Sequence, residues 1–182
     1  VAKKAITVIA NSKTKVYGES DPELDYEVTG LVNGETKAVL SGNLLREEGE
    51  NVRTYDIEIG SLSSNNYEIE FNSAELEITP KELEVTQKGT LTYNGLEQEV
   101  LLDIKGIEFG DEIEFNKITQ KDAVIDKVVS LVSNSEKATN YTFDNVLVTV
   151  AKKAITVIAN SKTKVYGEDD PDLTFETVGL VN

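Results

Sequence analysis

Carboxylates are the main chemical resource of this sequence. Its 182 residues include 33 Asp and Glu against 18 Lys and Arg, with neither His nor Cys. The usual imidazole bases and thiolate nucleophiles are therefore unavailable. Adjacent acids occur at Glu47-Glu48, Asp111-Glu112 and Asp169-Asp170. A glycosidase needs two carboxylates facing each other across a cleft, whereas neighbouring acids in a small domain read as a solvated face. The chain thus reads as a non-enzyme, with no catalytic and no cofactor-binding residues. Calcium is the best metal candidate, because it takes hard oxygen ligands. Glu19, Asp21, Glu23 and Asp25 lie close together, as do Glu168, Asp169, Asp170 and Asp172. Glu19, Asp21, Glu168, Asp169 and Asp170 are the calcium candidates. The EF-hand spacing is absent, and the competing reading is a plain acidic turn around a proline. Lys and Asn are numerous enough for Lys–Asn isopeptide bonds beside a buried acid; thioester crosslinks need Cys and are excluded. Tyr26, Tyr55 and Tyr67 have faces suited to sugar stacking, but each sits on the apolar side of an alternating run, which reads as core. Asn140-Tyr141-Thr142 fits the glycosylation sequon.

The net charge of −15 argues against nucleic-acid partners, whose phosphates require a cationic face, and against anionic membrane surfaces. It favours solubility and resists self-association. No run of about 18 apolar residues occurs, so this segment predicts no membrane-spanning helix. Hydrophobic residues make up 39% and aromatics 7%, with no Trp or Met, which points to small, thin cores. A chain without methionine also reads as a piece of a longer polypeptide.

The elements that position these residues follow from an internal repeat. Val1–Asn33 and Val150–Asn182 match at 27 of 33 positions at an offset of 149, and their first nineteen residues are identical. This implies duplication and an array. The period is too long for one solenoid unit of about 20–50 residues and fits two small domains. A fainter echo relates Asn66-Tyr67-Glu68-Ile69-Glu70-Phe71 to Asn140-Tyr141-Thr142-Phe143-Asp144. The expected domains are 1–79, a divergent relative at 80–149, and the first part of a truncated repeat at 150–182. Leu24/Tyr26/Val28, Tyr55/Ile57/Ile59, Tyr67/Ile69/Phe71 and Ala74/Leu76/Ile78 alternate with polar residues, as strands with one buried face do. Turn residues separate them at Tyr17–Pro22, Asn33-Gly34, Glu48–Asn51 and Ser63–Asn66. Glu35–Leu40 predicts a helical turn. Asp122–Val132 suits a helix by the spacing of Val124, Val128 and Leu131, and a strand by its Val and Ile content. The junction from Leu76 to Val85 has no Gly/Ser linker, so one domain's last strand runs almost directly into the next domain's first. A domain of this size spans roughly 30 Å, and the expectation is a semi-rigid rod of domains placed end to end.

Lys15-Val16-Tyr17-Gly18, Asp21-Pro22-Glu23-Leu24, Gly30–Thr36, Gly49–Ile57, Asn66–Phe71 and Leu76–Thr79, in that order, resemble the MBG domain of the YGX type. The resemblance covers nearly all of 1–79 and again 150–182. In 80–149, Tyr93-Asn94-Gly95 stands where the Tyr-Gly element belongs and no Asp-Pro follows. The resemblance implies tandem repeats in an extracellular bacterial surface protein or adhesin, and no particular ligand. The fold expected is mainly β, an immunoglobulin-like sandwich or a β-grasp-like sheet. The function expected is a stalk or spacer whose partners are neighbouring repeats. The alternative is an adhesive module for host glycan or matrix protein, or a self-associating filament repeat.

Overall fold

The computed structural model describes residues 2–181. The protein is mainly β, and among the described residues the helical segments are two 3-10 turns, Lys37–Val39 and Glu136–Asn140. Among the described residues no helix is long and apolar enough to cross a membrane. By its internal contacts the chain divides into two compact units. The first comprises Val1–Leu83, Gly106–Glu114 and Ser133–Phe143, and the second Glu84–Lys105, Phe115–Val132 and Asp144–Asn182. The first unit therefore draws two segments from beyond the boundary that the sequence suggests at residue 79.

Within residues 2–79 lie strands β1 (Lys4–Ala10), β2 (Lys13–Val16), β3 (Tyr26–Thr29), β4 (Leu45–Arg46), β5 (Thr54–Glu58), β6 (Tyr67–Asn72) and β7 (Ala74–Thr79). They form a three-stranded sheet β3-β1-β6 and a four-stranded sheet β2-β7-β5-β4. Two pairs are parallel: β1 with β6, from Lys4↔Tyr67 to Ile9↔Asn72, and β2 with β7, from Lys13↔Leu76 to Val16↔Thr79. The other pairs are antiparallel. The alternating residues of both sheets meet in one core, in which Ile6, Val8, Ala10, Ile57, Tyr67 and Leu76 are buried and Tyr26, Val28 and Phe71 pack at its margin. Each fully buried aliphatic side chain contributes about 1.5–3 kcal/mol by leaving water. Of the two folds expected, the two-sheet sandwich describes this unit; the long helix that a β-grasp lays across its sheet is absent among the described residues. The predicted helical turn is the 3-10 turn at Lys37–Val39, capped by Thr36, whose hydroxyl accepts from the Ala38 amide.

Beyond Pro80 come β8 (Lys81–Gln87), β9 (Leu91–Thr92), β10 (Gln98–Glu99), β11 (Leu102–Lys105), β12 (Thr119–Gln120), β13 (Val124–Val129), β14 (Tyr141–Phe143), β15 (Val146–Ala151), β16 (Thr156–Ala159) and β17 (Phe175–Val178). A single residue separates β7 from β8, as the missing linker implied. The pairing pattern of residues 2–79 recurs. β15 pairs parallel with β9 and antiparallel with β13, as β7 pairs with β2 and β5. In the second unit β8 pairs antiparallel with β11 through residues 84–87. In the first unit its opening residues pair parallel with β14, Tyr141↔Lys81 matching Tyr67↔Lys4. Tyr93 donates its amide to the Ala151 carbonyl at 2.9 Å, as Tyr17 does to Thr79 at 2.9 Å.

The ambiguous stretch 122–132 contains β13, so its β-branched content prevails over its helical spacing. The register shifts between Val124 and Lys127, where Asp126 adopts φ 51°. The Thr149 hydroxyl accepts from the Asp126 amide at 3.0 Å. That bond satisfies the amide which the bulge removes from the ladder.

Candidate functional site

Two constellations in the first unit hold polar side chains in fixed geometry. The first surrounds Lys15. Alternation along β2 turns Lys15 inward, and only 6% of the residue is exposed. Its ammonium donates to Asp21 Oδ1 at 2.7 Å, Glu50 Oε2 at 2.6 Å and the Glu19 carbonyl at 3.1 Å. Arg46 closes the group: Nε meets Asp21 Oδ2 at 2.6 Å, and Nη2 meets Asp21 Oδ1 at 3.0 Å and Glu50 Oε1 at 2.5 Å. The Arg46 guanidinium also lies 5.3 Å from the Tyr55 ring centroid, within cation–π range.

Burial acts to lower the Lys15 pKa, but its bonds to Asp21 and Glu50 outweigh it and the net shift is upward. The Arg46 hydrogen bond holds Asp21 below the usual range against burial, with Lys15 adding to it. Burial acts to raise Glu50, yet Lys15 and Arg46 together bring it down. A crosslink between Lys15 and a neighbouring acid would need a neutral amine and a protonated carboxyl. The surroundings favour the opposite protonation states, so this buried lysine is an ion-pair centre.

The second constellation is built on the Tyr-Gly turn. Tyr17 follows β2, is 2% exposed and donates its hydroxyl to Asp111 Oδ2 at 2.8 Å. Tyr141, the first residue of β14, donates to the same oxygen at 2.7 Å. The two rings meet edge to face with centroids 5.3 Å apart, and Phe109 meets Tyr17 in the same way at 5.3 Å. Phe109 reaches that position from the left-handed region, at φ 53°, an outlying conformation for a bulky side chain. The Tyr141 oxygen accepts from the Glu108 amide at 3.0 Å, and Glu108 pairs with Lys81.

Gly18 has φ +88°, and a Cβ there would lie 2.3 Å from Glu108 Cγ. The turn therefore needs glycine twice, for its backbone conformation and for this close approach. Burial first, then the bond to Asp111, raises the Tyr17 phenol above its ordinary value. Burial likewise pushes Tyr141 up to about 12, with Asp111 adding to the shift against the Glu108 amide. Beside this node the Asn140 side chain accepts from the Val52 amide at 2.8 Å and donates to Asn51 Oδ1 at 3.1 Å. Lys137 donates to the same Asn51 oxygen at 3.0 Å.

The residues singled out in the sequence are placed as follows. Glu19 accepts from the Val16 amide at 3.0 Å within its own turn, and Asp21 is engaged by two cations. Asp170 pairs with Lys164, while Glu168 and Asp169 are exposed. Among the described residues no three acidic side chains converge to hold a metal ion. Tyr55 and Tyr67 are buried and Tyr26 packs against the core, so these rings are core members. Asn140 is 2% exposed, which corrects the sequon reading: the fold uses this amide internally, where no glycan fits. Asp111-Glu112 resolves into one carboxylate bound by two phenols and one exposed neighbour.

The Tyr17–Asp111–Tyr141 node and the Arg46–Glu50 half of the ion cluster were not legible beforehand. The Tyr-Gly pair and the Asn-Tyr echo were the available signals, but neither names its distant partner.

Comparison with curated proteins and with solved structures finds no match. The family model described as "MBG domain (YGX type)" matches residues 6–77 and 155–182. These spans contain the Tyr-Gly turn at Tyr17-Gly18 and its copy at Tyr166-Gly167, and together they cover more than half of the chain, which therefore belongs to the MBG domain family of the YGX type.

Proposed function

We propose that the chain is a structural repeat of an extracellular surface protein and serves as a semi-rigid stalk that carries tension. The observation behind this reading is the parallel pairing of early with late strands. The chain enters the first domain through β1 and β2 and leaves through β7. β2 and β7 are parallel neighbours over four residue pairs, and β1 and β6 over six. Pulling the ends apart drags parallel neighbours in opposite directions along their length. The ladder hydrogen bonds are then loaded together in shear, whereas an antiparallel hairpin pulled from its open end parts one bond at a time. The same parallel relation recurs between β9 and β15. The polar groups of the two constellations find their partners inside the fold, as a spacer under tension needs.

Single-molecule pulling tests this reading. The protein contains no cysteine, so attachment cysteines can be placed freely. Pulling at residues 2 and 79 is expected to require a several-fold higher unfolding force than pulling at residues 49 and 79. Equal forces in the two geometries would overturn the tension-bearing role. Small-angle scattering across concentration, with calcium and with chelator, tests the stalk independently. The stalk predicts a concentration-independent rod with roughly 30 Å per domain, whereas growth with concentration would favour the filament reading. Saturable binding of a glycan or matrix protein to the isolated chain would favour the adhesive one.

A further inference from the structure

Tyrosine is the most easily oxidised side chain in this sequence. There are seven Tyr and no Cys, Met, Trp or His. Thiols and thioethers, the usual first targets of an oxidant, are missing, so an oxidising equivalent that reaches the chain settles on a phenol. The phenols do not share one environment. Arg46 and Arg53 lie over the Tyr55 ring at 5.3 and 3.9 Å from its centroid, and Lys37 lies over Tyr26 at 5.6 Å. A cation against a ring opposes removal of an electron from it. Tyr17 and Tyr141 instead donate their hydroxyls to Asp111, and Tyr67 donates to Glu35. A carboxylate that already holds the phenolic hydrogen takes the proton as the electron leaves, which makes that loss easier.

Among the described residues Tyr17 and Tyr141 are the only tyrosines whose rings meet, edge to face with an interplanar angle of 80°. Both hydroxyls end on the same Asp111 oxygen, so the ortho carbons beside them converge as well. The two residues are 2% and 5% exposed. A radical formed on one therefore meets the other ring before it meets another molecule, and such enforced proximity favours coupling within the pair.

We propose that Tyr17 and Tyr141 form an oxidative crosslinking site, at which a small diffusible one-electron oxidant joins the two rings as dityrosine. Each phenol gives one electron to the oxidant and one proton to Asp111. Asp111 passes the protons on in turn to the open cleft that it lines with Glu112 and Glu136. The two phenoxyl radicals then form one carbon–carbon bond between ortho positions. Each displaced ortho hydrogen moves to the oxygen of its own ring and restores the phenol. The net change is the loss of two hydrogen atoms, taken up by two equivalents of an oxidant such as the carbonate radical. The bond ties the turn after β2 to the start of β14, segments far apart in sequence that lie in one compact unit. It would make permanent a junction that hydrogen bonds otherwise hold.

The test treats the full chain, at low concentration, with carbonate radical generated by photolysis. Mass spectrometry is expected to find a monomer lighter by two hydrogen atoms, with dityrosine fluorescence, and digestion with trypsin a linked pair of peptides 16–37 and 138–152 joined through Tyr17 and Tyr141. Tyr141→Phe should abolish the link. Asp111→Asn should form it at least fivefold more slowly, and amide hydrogen exchange at 13–16 and 141–143 identifies variants that have kept the fold. The unmodified sequence supplies a control that needs no variant, since in denaturant the same treatment should lose its preference for this pair. The proposal is overturned if no such mass loss occurs, if the link falls on other tyrosines, if denaturant leaves the yield of this link unchanged, or if folded Asp111→Asn forms it at the original rate.

Discussion

At the residue scale, Asp111 accepts two phenols on one carboxylate oxygen, and its charge is what both donors meet. Tyr17→Phe removes one charge-assisted bond, and about 1–3 kcal/mol of stability should be lost in denaturant melts. The alkaline limb has a definite sign. Tyr17 and Tyr141 have pKa values raised above the ordinary phenol value of 10.0. The folded state therefore retains protons that the unfolded chain releases. Their contribution is complete below that value and disappears as pH rises through the raised ones. Stability measured from pH 8 to 12 should fall at the upper end, and Asp111→Asn should flatten that fall while bringing both phenols to earlier titration at 295 nm. An unchanged titration would show that burial alone holds them. Asn140→Ala leaves the Val52 amide without its partner, at a cost of about 1–3 kcal/mol. In a glycosylating host, mass spectrometry should find Asn140 unmodified on folded protein.

At the element scale, the two Tyr-Gly turns act as controls for each other. Gly18 and Gly167 share φ near +88° and +89°, but a Cβ at Gly18 strikes Glu108 and one at Gly167 meets nothing within 4 Å. Gly18→Ala combines backbone strain of about 1–2 kcal/mol with crowding, and it should lower the main unfolding transition. Gly167→Ala carries the strain alone in a turn outside the covered core and should leave that transition unmoved. Equal effects would mean that the approach of Glu108 to the turn has no energetic weight. The β13 bulge follows the same logic of local repair, since Thr149 supplies the hydrogen bond that Asp126 loses by leaving the ladder.

At the scale of the whole molecule, a net charge of −15 is tolerated because many carboxylates lie on solvated strand faces and a few are matched by cations. Asp21 and Glu50 have pKa values below their ordinary 3.8 and 4.5, so their contribution has the opposite sign to that of the tyrosines. It is complete above those ordinary values and is lost as pH falls through the depressed ones. The acid unfolding midpoint should lie low, and Lys15→Gln should raise it by removing one of the two cations the carboxylates share. An acid limb identical in the variant would assign the depression to Arg46 alone.

Much of the fold was legible because strand identity is a local property. Alternation at Tyr55/Ile57 and Leu76/Ile78 and the helical turn within Glu35–Leu40 all lie within short windows, and the duplicated hairpin keeps one register in both copies. The sequence by itself determined the alternating strands around Tyr26, Tyr55, Tyr67 and Leu76, the turns between them, the repeat and the absence of imidazole and thiol chemistry. The tertiary structure decided which faces are covered. Lys15 is buried because Glu50 and Arg46, about 30 residues away along the chain, arrive beside it, whereas Lys164 in the same local sequence stays exposed. Tyr17 finds its acceptor 94 residues away, and Asn140 closes against a loop 88 residues before it. Hydrogen bonds and backbone preferences act over a few residues and can be read in order along the chain. Burial is a property of surfaces brought together, and one sequence takes either state according to what lies against it.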